Sequence, residues 1–363
     1  MKFYELKIHG AKVIEPDCHE DHLGWEETLY SKADYEDMGI SDVFIQENYN
    51  FTYKSMCFKG IHYQKPPYAQ ATLIQCIQGA MLDFVVDLRS DSPTYGQWIS
   101  VVLSEENRKI QYIPKGCGHA SFSLTDNSRY KMKVSEFYEP SAHESISYLS
   151  NVLGITLPCK EILISDQDKN AKKFEELHFD TEEIFESRDE KNKEKRYLND
   201  LSVRPFALKD IQVFSPKYYE DFRGYFTETF SERKFKEYEI NTLFVQDKRV
   251  LTYSNGTIRG IYSQNTPHAQ NLLFSCTQGA VQLFLIDLSK DSTSFKQWSS
   301  EVFSMQNHKQ IMIPQGYGYA YVTLCDNCEV LIKSDEYDIP ASRELLRFDD
   351  PEIGLKRFRK DGQ

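Results

Sequence analysis

The stretch GIHYQKPPYAQ at residues 60–70 returns two hundred residues later as GIYSQNTPHAQ at 260–270. Extended in both directions without a gap, residues 60–127 match 260–327 at 31 of 68 positions, among them Gly60/Gly260, Gly79/Gly279, Asp87/Asp287, Trp98/Trp298 and Pro114/Pro314. The chain is therefore a tandem duplication. Two large copies do not make a solenoid, so each is expected to own a hydrophobic core. The 363 residues agree, because that length suits two domains of ordinary size.

Within a copy, the runs MLDFVVDL (81–88), KIQYIP (109–114) and ASFSLT (120–125) are rich in β-branched and aromatic residues. They are separated by the turn-forming clusters SDSPTYG, SEENR and TDNS. Short strands at this spacing predict an antiparallel barrel or sandwich, and each copy is read as a jelly roll. The predicted fold is all-β: two tandem jelly-roll barrels over 1–165 and 206–363, joined by a charged, partly helical linker over 166–205. In that linker Phe174, Leu177, Phe179, Ile184 and Phe185 form the sizeable apolar cluster before Tyr197, so it is expected to lie on a barrel.

Composition narrows the function classes. With 40% hydrophobic and 13% aromatic residues the chain is built to fold, and a net charge of −12 excludes a surface made to neutralise nucleic-acid phosphates. An anionic ligand must then be held by a local basic pocket. The start MKFYELKIHG lacks a signal-peptide core and no run of about 18 apolar residues is present, so a cytoplasmic protein without membrane association is expected. The eight cysteines stand singly except for Cys325 and Cys328, a pattern of free thiols rather than of a four-thiolate zinc site.

The positions where the copies disagree are the informative ones. His62, Asp83 and His119 of the first copy face Tyr262, Leu283 and Tyr319 of the second. DFRGYFTE from Asp221 to Glu228 faces DHLGWEET in the first copy, with Leu23 opposite Arg223, Glu26 opposite Phe226 and Thr28 opposite Glu228. Each copy holds what the other lacks. Taken singly, His62 reads equally as a satisfied core or surface histidine, His119 as the brace of a Gly-containing turn, and Arg223 as a solvated turn residue. Asp83 is different, because a carboxylate interrupting an apolar strand needs a partner, and an imidazole would serve.

The ordered series FIQEN (44–48), KGIHYQKPPYAQ (59–70), DFVVDLRSDSPTYGQW (83–98), LSEENRKIQYIPKGCGHASF (103–122) and EFYEP (136–140) resembles that of the dTDP-4-dehydrorhamnose 3,5-epimerases. DFRGYFTE, FVQDK (244–248), IRGIYSQNTPHAQ (258–270), IPQGYGYAY (313–321) and FDDPEIGL (348–355) resemble the same series. The likeness spans about 15–168 and 210–356. It implies a cupin-type jelly roll acting without metal or organic cofactor on a nucleotide-diphospho-sugar whose 4-keto group acidifies carbons 3 and 5. By the resemblance His62 is the base and Asp168, in ILISDQD, the carboxylate that orients it.

Departures from the pattern accompany the likeness. Thr72 stands where the family has an enolate-stabilising lysine. Met132 stands where it has a proton-donating tyrosine, a role that Tyr130, two residues away on the same strand face, can fill. Lys59 replaces a phosphate-binding arginine, which the second copy keeps as Arg259. In family dimers the DxRGxFxE arginine, phenylalanine and glutamate reach into the neighbouring subunit's pocket. The resemblance thus implies an internal pseudo-dimer with one composite site, the chain itself being open to further homodimerisation. His62, Asp168, Asp83, His119, Tyr130 and Thr72 supply its chemistry, Arg223 and Lys59 hold the diphosphate, Phe226 and Tyr138 stack on the base, Gln46 and Asn48 hydrogen-bond it, and Glu228 completes the grip. A 3,4-ketoisomerase and a non-catalytic sugar-nucleotide binder are the rival readings. A metal-dependent cupin oxygenase is disfavoured because HYQ at His62 lacks an HxH pair, and a purely structural barrel because it leaves the reciprocal losses unexplained.

Overall fold

A computed structural model of the chain describes residues 1–177 and 200–357. The strands expected from the repeat all form, as Ala80–Asp87, Ile110–Ile113 and Cys117–Ser123 and their counterparts two hundred residues on. The remaining regular elements are nearly all strands as well. The chain divides into two compact units whose borders differ from the contiguous barrels expected: one holds 1–16, 41–198 and 217–240, the other 17–40, 199–216 and 241–363. Each repeat has given the strand pair that opens its DxxG motif to the other unit.

In the first unit one antiparallel sheet runs, in spatial order, Lys2–Glu5, Lys12–Glu15, Ile110–Ile113, Thr72–Gln78, Ser128–Val134, Gln46–Thr52, Gly224–Ser231 and Tyr218–Asp221. The last two strands are the received pair. The second sheet runs His143–Ser145, Cys57–Gln64, Cys117–Ser123, Ala80–Asp87 and Trp98–Ser104, with Leu163–Ile164 added parallel to Cys57–Gln64. The second unit repeats the plan, with Gly24–Ser31 and Cys18–Asp21 as its received pair.

The DxxG sequence explains the crossing. Asp221 Oδ1 accepts the Arg223 N–H at 2.8 Å, an Asx turn that reverses the chain. Gly224 follows at φ +150°, where a Cβ would sit 1.9 Å from the carbonyl oxygen of Phe51. Only glycine lets the received strand lie against Gln46–Thr52 there.

MLDFVVDL is buried on both sides, which accounts for its being apolar at every position but Asp83 and Asp87. Met81 and Val85 face the barrel interior with Ile74, Cys76, Leu103 and Tyr130. Phe84 and Val86 face outward and are covered by Ile146, Leu153 and Phe174. Burying a side chain such as Phe84 contributes about 2–3 kcal/mol. The apolar residues Phe174 and Leu177, expected in a linker on a barrel, are thus part of a core layer of the first unit. Asp166–Lys169 forms a short helix and Phe174–Glu176 a 3-10 turn, while Leu201–Pro205 is already the first strand of the second unit's sheet. Phe179, Ile184, Phe185 and Tyr197 lie outside the described residues.

All eight cysteines are free thiols, Cys325 and Cys328 holding their sulfurs 3.3 Å apart. Among the described residues no helix is long and apolar enough to cross a membrane, and no three His, Cys, Asp or Glu side chains converge as metal ligands.

Candidate active site

Strand Cys57–Gln64 pairs with Cys117–Ser123 so that His62 and His119 are direct cross-strand partners. Gly60, at φ +121°, permits the close approach, since a Cβ there would meet Ala120 at 2.8 Å. Beside this pair the helix Asp166–Lys169 is started by Ser165, whose Oγ accepts the Asp168 N–H at 3.0 Å. The cap fixes the Asp168 carboxylate against the strand. Its Oδ1 lies 2.7 Å from His62 Nε2, and its Oδ2 accepts the Gly60 N–H at 3.4 Å.

Asp168 is 2% exposed and the His62 side chain 31%, so the carboxylate is enclosed while the imidazole opens to solvent. Burial works against the charge on Asp168, but the His62 and Ser165 hydrogen bonds win and hold its carboxyl below the ordinary range. An ionised carboxylate only accepts. A neutral His62 ring bonded to it donates from Nε2 and presents the lone pair of Nδ1.

Arg223, from the second repeat but within the first unit, reaches the same carboxylate. Its Nη1 is 3.6 Å from Asp168 Oδ2 and its Nη2 2.7 Å from Asp221 Oδ2. Lys59 lies with its ammonium 5.9 Å from the centre of the Tyr130 ring. Burial, with Arg223 nearby, lowers the Lys59 pKa. A half-buried ammonium within electrostatic reach of a guanidinium is a place where an anion is stabilising.

Deeper in the barrel Asp83, wholly buried, faces inward between Met81 and Val85 and lies 3.3 Å from His119 Nδ1. Burial raises its carboxyl above the usual range, the histidine opposing. Ser121 Oγ donates to the Tyr130 oxygen at 3.2 Å, leaving the phenol's own proton to be given elsewhere, and burial keeps that phenol protonated. Tyr130 and Met132 both pack in the interior core, so they share the face that the strand spacing predicts. Thr72, two residues before Ile74, lies on that inner face too and is buried.

Cross-strand register extends this face toward the barrel mouth. Phe226 pairs with Asn50 and Asn50 with Tyr130; Glu228 pairs with Asn48 and Asn48 with Met132. The Lys234 ammonium anchors Glu228 at 2.8 Å. Gln46 is engaged within the protein, its Nε2 donating to Asn48 Oδ1 at 3.1 Å and its Oε1 accepting the Tyr138 N–H at 3.3 Å. It positions Asn48 and the exposed Tyr138 more directly than it meets a ligand. All thirteen candidate residues thus fall within one unit.

The sequence reading missed His143. Its ring centre is 5.1 Å from that of His62 and 5.3 Å from that of Tyr138. Burial, with His62 second, lowers its pKa to about 4, so it stands neutral at the site. The signal was available, because Arg343 occupies the corresponding position of the second copy. In that second unit Tyr262 and Tyr319 are neighbours with ring centres 5.5 Å apart, and Leu283 is core.

Comparison with known proteins agrees with the duplication. A family model described as dTDP-4-dehydrorhamnose 3,5-epimerase matches residues 5–176 and again 205–361. The Shigella flexneri dTDP-4-dehydrorhamnose 3,5-epimerase is 33% identical over 175 residues, 48% of this chain and 96% of the relative. A dTDP-4-dehydro-6-deoxyglucose 3-epimerase from a Streptomyces species is 35% identical over 170 residues, 46% of this chain and 86% of that protein. The solved dTDP-6-deoxy-D-glucose-3,5-epimerase of Legionella pneumophila, in complex with dTDP-4-keto-L-rhamnose, is 32% identical. It covers 49% of this chain and 94% of its own, with a TM-score of 0.47. Each relative spans about half of this chain, and the family model fits both halves in turn: the chain belongs to the dTDP-4-dehydrorhamnose 3,5-epimerase family, with its barrel present twice.

Proposed function

We propose that the first unit epimerises a nucleotide-linked 4-keto-6-deoxy sugar and that the second unit does not. The observation that carries this reading is the enclosed Asp168 carboxylate, which meets both His62 and Arg223 and so ties a base to an anion clamp. The names of the relatives, 3,5-epimerases and a 3-epimerase of such sugars, support the same substrate class.

A hydrogen on carbon 3 or 5 is acidified by the C4 ketone. His62 Nδ1 takes it, the electron pair of the C–H bond moving toward the ketone oxygen to give an enolate, and the resulting imidazolium is stabilised by Asp168. The enolate needs a donor. Thr72 supplies a hydroxyl without charge, and the His119–Asp83 pair can supply more: a proton shared between Nδ1 and the carboxyl leaves His119 Nε2–H free to donate. Reprotonation from the opposite face, with Tyr130 as donor, inverts the centre. The diphosphate falls to Arg223 and Lys59, whose donors are charged. Tyr138 and Phe226 offer rings to the nucleobase, with Asn48, set by Gln46, and Glu228, set by Lys234, at its edge. Since each unit is completed by strands of the other repeat, the chain is an internal counterpart of a dimer, with one working site.

A panel of nucleotide 4-keto-6-deoxy sugars incubated in D2O, followed by NMR location of the deuterium, tests the reading. Deuterium at carbon 3 or 5 with inversion supports it. Movement of the ketone to carbon 3 would make the protein a ketoisomerase, and binding without exchange would leave a carrier.

A further inference from the structure

Gly279 packs against two sulfur atoms. It has φ +72°, a Cβ on it would meet Cys325 Sγ at 2.7 Å and Cys328 Sγ at 2.9 Å, and the two sulfurs lie 3.3 Å apart. We propose that Cys325 and Cys328 are a reversible oxidation site, a dithiol that closes to a disulfide and staples a hairpin of the second unit. That hairpin joins the strands Tyr317–Thr323 and Cys328–Ser334. Its tip is Asp326 and Asn327, both exposed, with Asn327 at φ +54° in the left-handed region that asparagine tolerates.

The first copy shows that the turn itself has no need of sulfur. Thr125 and Ser128 hold the same places there, and Asn127 has φ +55°. Thr125 Oγ1 accepts the Ala80 N–H at 3.0 Å, and Ser128 Oγ donates to the Thr125 carbonyl at 2.7 Å. A thiol is the weaker hydrogen-bonding group, so replacing both hydroxyls adds nothing to the closure of the turn. What the pair of thiols adds is the capacity to form a covalent bond. A disulfide needs its sulfurs about 2.0 Å apart, so closing from 3.3 Å takes about 1.3 Å of movement shared between two side chains.

The two thiols differ in access. Cys325 is half-buried and Cys328 buried, and burial raises the Cys328 thiol above its ordinary value. Cys325 is therefore the first to react, with a low-molecular-weight disulfide as oxidant. Its thiolate, the proton given to solvent, attacks one sulfur of that disulfide and expels the other half as a thiolate. Cys328, losing its own proton, then attacks Cys325 Sγ and expels the second half. One dithiol and one small disulfide thus become one protein disulfide and two small thiols, which take up the two protons. Cys276, in the same core cluster, does not compete: burial raises its thiol, and its Sγ donates to the Gln278 carbonyl at 3.3 Å.

This inference does not depend on the reaction assigned to the first unit. Equilibrating the full chain with glutathione disulfide, quenching in acid, alkylating in denaturant and mapping by mass spectrometry tests it. Two of the eight thiols are expected to escape alkylation, on one peptide that carries Cys325 and Cys328 and has lost both thiol hydrogens, and dithiothreitol is expected to restore them. Amide hydrogen exchange over 317–334 should slow at least about tenfold in the oxidised chain, because the staple restricts opening of the hairpin. Cys325→Thr with Cys328→Ser, the residues of the first copy, should show the same exchange with and without glutathione disulfide. Eight alkylated thiols, a glutathione adduct that persists on Cys325, a link formed by other cysteines in place of this pair, or amide exchange unchanged by oxidation overturns the proposal.

Discussion

The two units have one frame and opposite interiors. Gly60 and Gly260, Phe84 and Phe284, and Trp98 and Trp298 hold equivalent places, and Asp87 and Asp287 organise equivalent loops by accepting hydrogen bonds from Ser92 and Thr94 and from Ser292 and Ser294. Those loop bonds, with Arg89 in the first unit, overcome burial and lower the Asp87 carboxyl to about 2. A carboxylate kept in both copies is scaffold. One kept in a single copy, such as Asp83 opposite Leu283, is not required by the frame, since the second barrel closes with leucine there, and the proposed function gives it a chemical role. The dyad also left as a pair, His119 and Asp83 giving way to Tyr319 and Leu283, as the cost of a half-removed buried pair requires.

The widest contrast lies at position 62. His62→Ala is expected to lower exchange of solvent deuterium into the sugar by about 10²- to 10⁴-fold, the span of a general base, while sparing nucleotide binding. Tyr262→Ala is expected to leave turnover nearly intact. Loss of turnover in the second variant would make the second unit a working site and end the asymmetry.

Next comes the received hairpin. Arg223→Ala removes a charge-assisted contact worth about 1.5–3 kcal/mol, so nucleoside diphosphate binding should weaken about 10- to 100-fold by calorimetry. Leu23→Ala, at the matching place of the second unit, should change it little. Equal effects would mean that the two hairpins are interchangeable.

Most of this was legible in the sequence because duplication supplies its own comparison. The repeat at a spacing of two hundred exposed the jelly rolls, and the residues in which the copies differ exposed His62, Asp83, His119 and Arg223. What was not legible is physical. Strand exchange leaves the order of strands along the chain unchanged, so no local pattern announces that 217–240 belongs with the first unit. Arg259 was visible as a survivor in the second copy, yet the cavity that it lines with Tyr262, Tyr319 and Tyr321 was not.

Transplanting the second interior into the first sharpens the point about Asp83. The double change Asp83→Leu with His119→Tyr is expected to leave stability in urea unchanged or raised by about 1–2 kcal/mol, since a leucine and a tyrosine, the pair that the second barrel packs at these places, replace a buried ionisable pair, while deuterium exchange slows. A stability loss above that size would show that the dyad holds the barrel together.

The smallest expected effect concerns His143 against Arg343. His143 is lowered to about 4 by burial and by His62, against an ordinary value near 6.5. Between those limits the unfolded chain binds the proton and the folded one does not, so stability rises with pH there. The contribution is complete above about 6.5 and fades as the pH falls toward 4. Discounted for partial solvent contact, it amounts to something on the order of 1–2 kcal/mol. Urea denaturation from pH 7 to pH 4 should therefore show wild type losing that much more than His143→Gln. Arg343→Gln, replacing a group that stays charged throughout, should shift the curve without changing its slope above about pH 5, where its partner Asp338 stays ionised. Parallel curves for wild type and His143→Gln would mean that the ring takes up its proton in the folded protein, beside His62, and is not held neutral next to the base.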